Sequence, residues 1–234
     1  MGDENLQYQK FSYDEHAKSC APDDFLGQTR RTVQGVPLSN DQIQLIVAAI
    51  KSGIKIKPGD VLLDLACGNG ALSHLLFDSC KGYLGVDMSE YLISVAKKNF
   101  EVLPHYQFLA QCALDYVRQE VRPAKFTKAI IYAGFQYFPA ADAVEILRTI
   151  FERFRNIQII FIGNLPDRDL MEVFYKLRQP GEEELSDCGT AIGCWRTKSE
   201  IEKLASSAGW RACFSLMPAE FYASSYRYDA LLKR

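Results

Sequence analysis

From Val61 to Leu177 the sequence changes rhythm every few residues, pairing an apolar run of strand length with a segment of helical spacing. VLLDLA is followed by GALSHLLFDS, GYLGVD by SEYLISVAKKNF, YQFLA by CALDYVRQE, FTKAIIYA by ADAVEILRTIFERF, and IQIIFIG by DRDLMEVFYKL. Strands joined through helices run parallel, and strands covered on both faces read as near-continuous Val, Ile and Leu. Five such units in succession predict a doubly wound, Rossmann-like α/β sheet. The rhythm breaks near the end. After the helical segment TKSEIEKLASSAG, the runs WRACFSLMP and SSYRYDALLKR predict a hairpin that closes the sheet edge with one antiparallel strand, making seven strands in all.

A chain of 234 residues, 48% of them hydrophobic and 12% aromatic, has the material for a full core in one α/β domain. Residues 1–39 are polar and aromatic with scattered Gly and Pro, which suits an N-terminal helical cap or lid. Residues 40–234 carry the sheet, beginning with a helix, IQLIVAAIKS, that Ser39-Asn40-Asp41 caps and Gly53 stops. Residues 179–196 (QPGEEELSDCGTAIGCWR) form a long irregular insertion, and such loops in compact domains carry function disproportionately. The formal charge of -2, with no Lys/Arg run interleaved with aromatics, argues against a nucleic-acid partner. The polar start, MGDENLQYQK, and the lack of any apolar stretch near the ~18 residues of a membrane span predict a soluble, unexported, cytoplasmic protein. The seven cysteines (Cys20, Cys67, Cys80, Cys112, Cys188, Cys194 and Cys213) form no CxxC pair, so reduced thiols are expected, several of them in the core. Three histidines, His16, His74 and His105, are too few for a His-based zinc site. Oligomeric state is not legible from these residues.

In open α/β sheets ligands bind beyond the carboxyl ends of the strands, at the switch point of the strand order, which directs attention to Ala66–Gly70 in LLDLACGNGALSHLL. Gly68 and Gly70 allow close backbone approach, but Gly68-Asn69-Gly70-Ala71-Leu72-Ser73 is a degraded GxGxxG, and a Gly pair in a tight turn serves structure as readily as a ligand. The chain has no Gly-Lys-Ser/Thr, which excludes the P-loop. Asp64 discriminates further. A dinucleotide lays its pyrophosphate on this loop, where a carboxylate at the strand end repels it. S-adenosylmethionine (SAM), with a sulfonium and an ammonium group, reverses that preference. Asp87, 19 residues after Gly68 at the end of GYLGVD, stands where a carboxylate accepts hydrogen bonds from both ribose hydroxyls, in SAM or equally in NAD.

LDLACGNG followed by LGVDMSE resembles the first two motifs of the class I SAM-dependent methyltransferases, and the likeness extends over about residues 40–234, closing hairpin included. The resemblance implies SAM as cofactor, with Asp64, Ala66, Cys67 and Gly68 around the methionine moiety, Gly70 at the helix start, Asp87 on the ribose and Met88 against adenine. Gln111-Cys112-Ala113 falls where relatives often have an acidic residue before Ala for the adenine amino group; Cys112 occupies that place, leaving backbone groups or Gln111 for the contact. The segment IIYAGFQYFP resembles the one that lines the methyl-transfer side, which brings Tyr132 into the cofactor set and Phe135, Gln136 and Tyr137 into the acceptor set. Many relatives have His where Gln136 stands; Gln takes up no proton at neutral pH, so it orients a substrate rather than acting as its base. WRTKSEIEKLASSAGW and YRYDALLKR also resemble small-molecule methyltransferases acting on sugars or secondary metabolites.

The remaining candidates carry two readings each. Tyr8, Phe11, Tyr13 and His16 either fold over the cofactor as a lid, with Tyr13 against the acceptor and His16 a weak candidate base, or simply dock a terminal segment. Arg30 and Arg31 either pair with the SAM carboxylate or an acidic substrate, or lie in solvent. Trp195 either walls the acceptor pocket or belongs to the core. Glu182, Glu183 and Glu184 read as a solvated loop, and His74 and His105 as peripheral. The expected reaction is direct SN2 transfer of a methyl group to an oxygen, less favourably a nitrogen, of a small-molecule acceptor, with no metal and no Asn-Pro-Pro-Tyr motif. A short-chain dehydrogenase would need a Tyr-xxx-Lys pair, which the chain lacks. A SAM-binding regulatory or partner protein without transferase activity would keep the same acids and glycines; turnover separates the two.

Overall fold

The structure, a computed structural model, describes residues 12–176 and 179–234. Tyr8 and Phe11 of the expected lid lie outside the described residues. The cap consists of two short helices, α1 (Tyr13–Ser19) and α2 (Phe25–Gln28), and a hairpin of β1 (Thr32–Val33) with β2 (Val36–Pro37). Ser12 and Asp24 cap the two helices by accepting from the Glu15 and Gly27 amides. The long helix α3 (Asn40–Ile54) starts on the Ser39 hydroxyl, runs through Gly53 and ends two residues later on Lys55 in the left-handed conformation. Its buried residues Ile43, Ile46, Val47, Ile50 and Ile54 recur at the spacing of one helix face.

Five parallel strands follow: β3 (Val61–Leu65), β4 (Gly82–Asp87), β5 (Tyr106–Ala110), β6 (Lys128–Tyr132) and β7 (Ile159–Pro166). Their crossovers carry α4 (Glu90–Phe100), α5 (Ala113–Gln119) and α6 (Ala140–Arg153), while the first crossover, expected as a helix, is a 3-10 turn over Ser73–Ser79. The short helices α7 (Met171–Tyr175) and α8 (Glu182–Ser186) belong to the region of the insertion. The helix α9 (Lys198–Ser207), started by a reciprocal Thr197–Glu200 capping box, leads to β8 (Arg211–Ser215) and β9 (Arg227–Lys233). The strand order is β5-β4-β3-β6-β7-β9-β8. The last strand therefore slots between β7 and β8, antiparallel to both. The order reverses between β3 and β6, which makes that gap the switch point.

Period-2 alternation divides the sheet residues between two cores. Leu63, Leu65, Ala129, Ile131, Tyr228, Ala230 and Leu232 pack with α6 and α9. Leu62, Ile130 and Tyr132 pack with α3, so Asp64 on β3 and Arg227 and Asp229 on β9 point to the α3 face as well. The cap is fastened over the carboxyl end of this face. Asn69, fully buried in the glycine turn, donates to the Phe25 carbonyl and to Gln28 Oε1, both at 2.9 Å, and accepts from the Ala71 amide. On the far side of the turn the Ser89 hydroxyl, itself the N-cap of α4, donates to Asp14 of α1.

The expectation of seven reduced thiols fails at two of them. Cys188 and Cys194 form a disulfide, their Cα atoms 4.6 Å apart, because the Thr190–Gly193 turn folds the insertion back on itself. Cys67 and Cys80 are buried free thiols, as expected, while Cys112 and Cys213 are exposed. Among the described residues, no helix is long and apolar enough to cross a membrane and no cluster of His, Cys, Asp and Glu is placed to hold a metal.

Candidate active site

Three non-glycine residues along the carboxyl edge of the sheet have left-handed backbone: Ala66 after β3 (φ 60), Ala133 after β6 (φ 56) and Asn164 within β7 (φ 64). That conformation costs an L-residue about 1–2 kcal/mol and is kept where the surroundings impose it. Gly68 (φ 62) and Gly70 (φ 76) share it, and a Cβ on Gly70 would lie 2.7 Å from the Phe108 ring.

Asp87, at the end of β4, braces this turn. One carboxylate oxygen accepts from the Gly68 amide at 2.8 Å and the other from the Ser89 amide at 2.9 Å, while burial raises its pKa. Met88 beside it is 80% exposed, an uncovered apolar surface next to a carboxylate. At the start of α5, Cys112 is exposed at the N-cap, Ala113 is buried, and Gln111 donates to Gln119 instead of turning toward Met88.

Asp64 is buried beneath the turn. Its Oδ2 accepts from the Ser73 hydroxyl at 2.5 Å and the Tyr83 hydroxyl at 2.8 Å; burial pushes its pKa up to about 6 against those two donors. It lines a narrow crevice together with Arg31, Ala66, Cys67 and Tyr132. Arg31 reaches in from the cap, with one terminal nitrogen donating to Thr29 Oγ1 at 2.6 Å and Nε left without a partner. Burial lowers its pKa, while Tyr132 and Asp64 act the other way. Desolvation holds the Cys67 thiol well above its ordinary value.

Around the acceptor end, cap, sheet and insertion meet. The Tyr13 and Tyr137 hydroxyls are hydrogen-bonded to each other, and each lies 3.2 Å from the Ala191 carbonyl, which accepts from the one that does not donate to its neighbour. Gln136 is buried in the Phe135–Tyr137 turn, where Nε2 donates to the Ala133 carbonyl at 3.0 Å and Oε1 has no partner. Phe135, expected against the acceptor, is instead fully buried in the α6 core, because the 3-10 turn sends its ring inward beside Phe138. His16 bonds the Gly27 carbonyl through Nε2 at 2.9 Å and holds α1 to α2. Trp195 is buried among Phe174, Tyr175 and Tyr226, with its indole N–H unpartnered.

Residues 62–156 match the family described as "Methyltransferase domain". Over those residues the chain carries a methyltransferase domain. Solved structures agree on the fold. A SAM-dependent methyltransferase of Leishmania major superposes with a TM-score of 0.66 at 11% identity, covering 95% of this chain and 81% of that one. The DhpI complex with SAM and HEP gives 0.63 at 12% identity over 95% and 94% of the two chains. Magnesium protoporphyrin IX methyltransferase from Synechocystis PCC 6803 with bound SAH gives 0.58 at 18% identity over 83% and 82%. No curated protein matches the sequence.

A groove of about 770 Å³ lies beside α3, lined by residues such as Gly53, Phe161 and Leu216. None of the buried polar atoms that lack partners lies there. Among the described residues, six of seven such atoms belong to Arg31, Tyr132, Gln136, Asn164, Trp195 and Arg227, on the elements gathered over the carboxyl edge. Polar atoms left unsatisfied in a protein interior are costly, so their concentration marks the site better than size does. Asn164 and Arg227 were not among the residues singled out from the sequence. Asn164 sits in a strand run and Arg227 in a run of alternating tyrosines, and only the β7 bulge and the insertion of β9 bring them together.

Asp229, also on this face, accepts from the Asn164 amide at 2.8 Å, and burial pushes its pKa to about 6. Against an unfolded value near 3.9 this is a raised folded pKa, so its contribution to stability is present below about pH 4 and lost as pH rises through about 6. Asp229→Asn is expected to flatten that slope and to gain about 1–2 kcal/mol of stability at pH 7.5, read from urea unfolding at a series of pH values.

Proposed function

We propose that the protein transfers a methyl group from SAM to an oxygen, less favourably a nitrogen, of a small molecule held under the cap. The observation that carries this reading is the juxtaposition at the switch point: a turn with Gly68 and Gly70 in left-handed conformation, braced by a ribose-type carboxylate, beside a polar, unsatisfied chamber. SAM supplies an activated methyl group whose leaving group is a neutral thioether. Asp87 would accept from the ribose hydroxyls, exchanging its bond to Gly68 for them. Met88 would cover adenine, with Gln111, Cys112 and Ala113 at its edge. Ala66, Cys67, Gly68 and Gly70 would follow the methionine moiety, and Arg31 would take its carboxylate, with Asp64 and Tyr132 alongside. Tyr13, Gln136, Tyr137 and Trp195 would shape the acceptor chamber. The Tyr13–Tyr137–Ala191 junction favours an enclosed small acceptor over a polymer lying in an open groove. Alignment of nucleophile, methyl and sulfur supplies much of the acceleration in such a transfer, and a strong base is optional when the acceptor loses its proton easily.

Calorimetric titration with SAM, S-adenosylhomocysteine (SAH) and NADH tests the cofactor: saturable binding of the first two and none of the third is expected. Radiolabelled methyl transfer to a panel of sugars, phenols and carboxylic acids then tests turnover. Binding of NADH in place of SAM would overturn the reading.

A further inference from the structure

Arg227 opens β9 beside the bulge in β7 and is only 9% exposed. One terminal nitrogen donates to the Asn164 carbonyl at 2.6 Å; Nε is buried and has no partner. Among the described residues Arg227 forms no ion pair; the neighbouring acid, Asp229, directs Oδ1 to the Asn164 amide instead. The surroundings are instead neutral hydrogen-bonding groups. The Tyr226 ring lies 5.5 Å from the guanidinium, the Tyr132 hydroxyl and Asn164 Oδ1 are buried without partners, and the hydroxyls of Tyr13, Tyr132 and Tyr222 are within its electrostatic reach. A buried cation without a counter-charge is unfavourable and is kept where an anion completes it. A second buried guanidinium, Arg31, which has the Asp64 carboxyl within its electrostatic reach, approaches the same tyrosines. SAM brings a single carboxylate, and Arg31 on the glycine-turn side is the residue proposed to take it.

We infer that Arg227 is a specificity-determining residue that binds an anionic group, carboxylate or phosphoryl, on the methyl acceptor. A planar guanidinium with a free edge matches either group through paired N–H donors, and Tyr132 offers a further hydroxyl. The inference rests on the methyl-transfer reading and specifies the acceptor of that same site.

The test uses the full chain saturated with SAH and titrated calorimetrically with 4-hydroxybenzoate and with phenylphosphonate, each beside its neutral ester, methyl 4-hydroxybenzoate and dimethyl phenylphosphonate. At least one anion is expected to bind about 10-fold or more tightly than its ester, and which of the two does so separates carboxylate from phosphoryl recognition. Arg227→Gln is expected to abolish the preference while leaving SAH affinity unchanged, and Arg227→Lys, which keeps the charge but not the planar fork, to retain part of it. Equal binding of anions and esters by the wild-type complex, or a preference that survives in Arg227→Gln, would overturn the inference. Should Arg227→Gln fail to fold, the wild-type comparison decides, with an undiminished preference in Arg227→Lys counting against the fork. Failure of wild-type protein to bind SAH would sink the methyl-transfer reading itself; SAH binding without anion preference sinks the acceptor assignment alone.

Discussion

Asp87→Ala is expected to weaken SAM binding by about 10- to 100-fold, the worth of hydrogen bonds to a charged acceptor in a partly enclosed site. The carboxylate has a double duty here. It braces the Gly68 and Ser89 amides before any ligand arrives, and through Ser89 it is joined to Asp14 of the cap. Its loss therefore loosens the turn as well as removing the proposed ribose partner. Calorimetric affinities for SAM and SAH, set beside the melting temperature, separate the two effects, because Asp87→Asn retains one acceptor and can still brace one amide. Unchanged affinity in Asp87→Ala would contradict the ribose assignment.

Gly134→Ala is expected to cost about 1–3 kcal/mol of stability and to impair SAM binding with it, although Gly134 lies on the other strand from the glycine turn. A Cβ at this position would stand 2.4 Å from the Cβ of Ala66. The ends of β3 and β6 thus touch across the switch point, and their spacing sets the floor of the site. The clash is between two methyl groups, so the second-site change Ala66→Gly should relieve it. Ala66 also has φ 60, so glycine there removes the strain of a left-handed alanine at the same stroke. The double variant Ala66→Gly/Gly134→Ala is expected to melt close to wild type, a coupling that a thermodynamic cycle reads directly. A Gly134→Ala protein as stable as wild type, or one that Ala66→Gly does not rescue, would show that this contact does not hold the strands apart.

The parallel sheet was legible because a strand buried on both faces has to be apolar throughout, and VLLDLA, KAIIYA and IQIIFIG meet that demand in plain view. The place of Asp87 was legible for a related reason: a strand-end acid after an apolar run is anomalous unless donors meet it, and the Gly68 and Ser89 amides do. The first crossover was less so. GALSHLLFDS has helical spacing, yet Ser73–Ser79 takes 3-10 geometry, a difference that apolar spacing over so short a segment does not record. Phe135 shows the same limit at one residue, since an aromatic in a turn faces either the cavity or the core, and its direction depends on backbone torsions that composition does not carry.

By itself, then, the sequence determined the fold class, the glycine turn and the place of Asp87, all set by periodicity and by spacing along one strand–turn–helix unit. Tertiary structure alone decided the Cys188–Cys194 pairing, the bond by which His16 joins α1 to α2 and the meeting of Arg31, Tyr132, Asn164 and Arg227. Those residues lie on a cap turn, two parallel strands and a strand inserted out of sequence order. Their proximity follows from burial of two sheet faces, a property of the whole chain, and no local pattern records it.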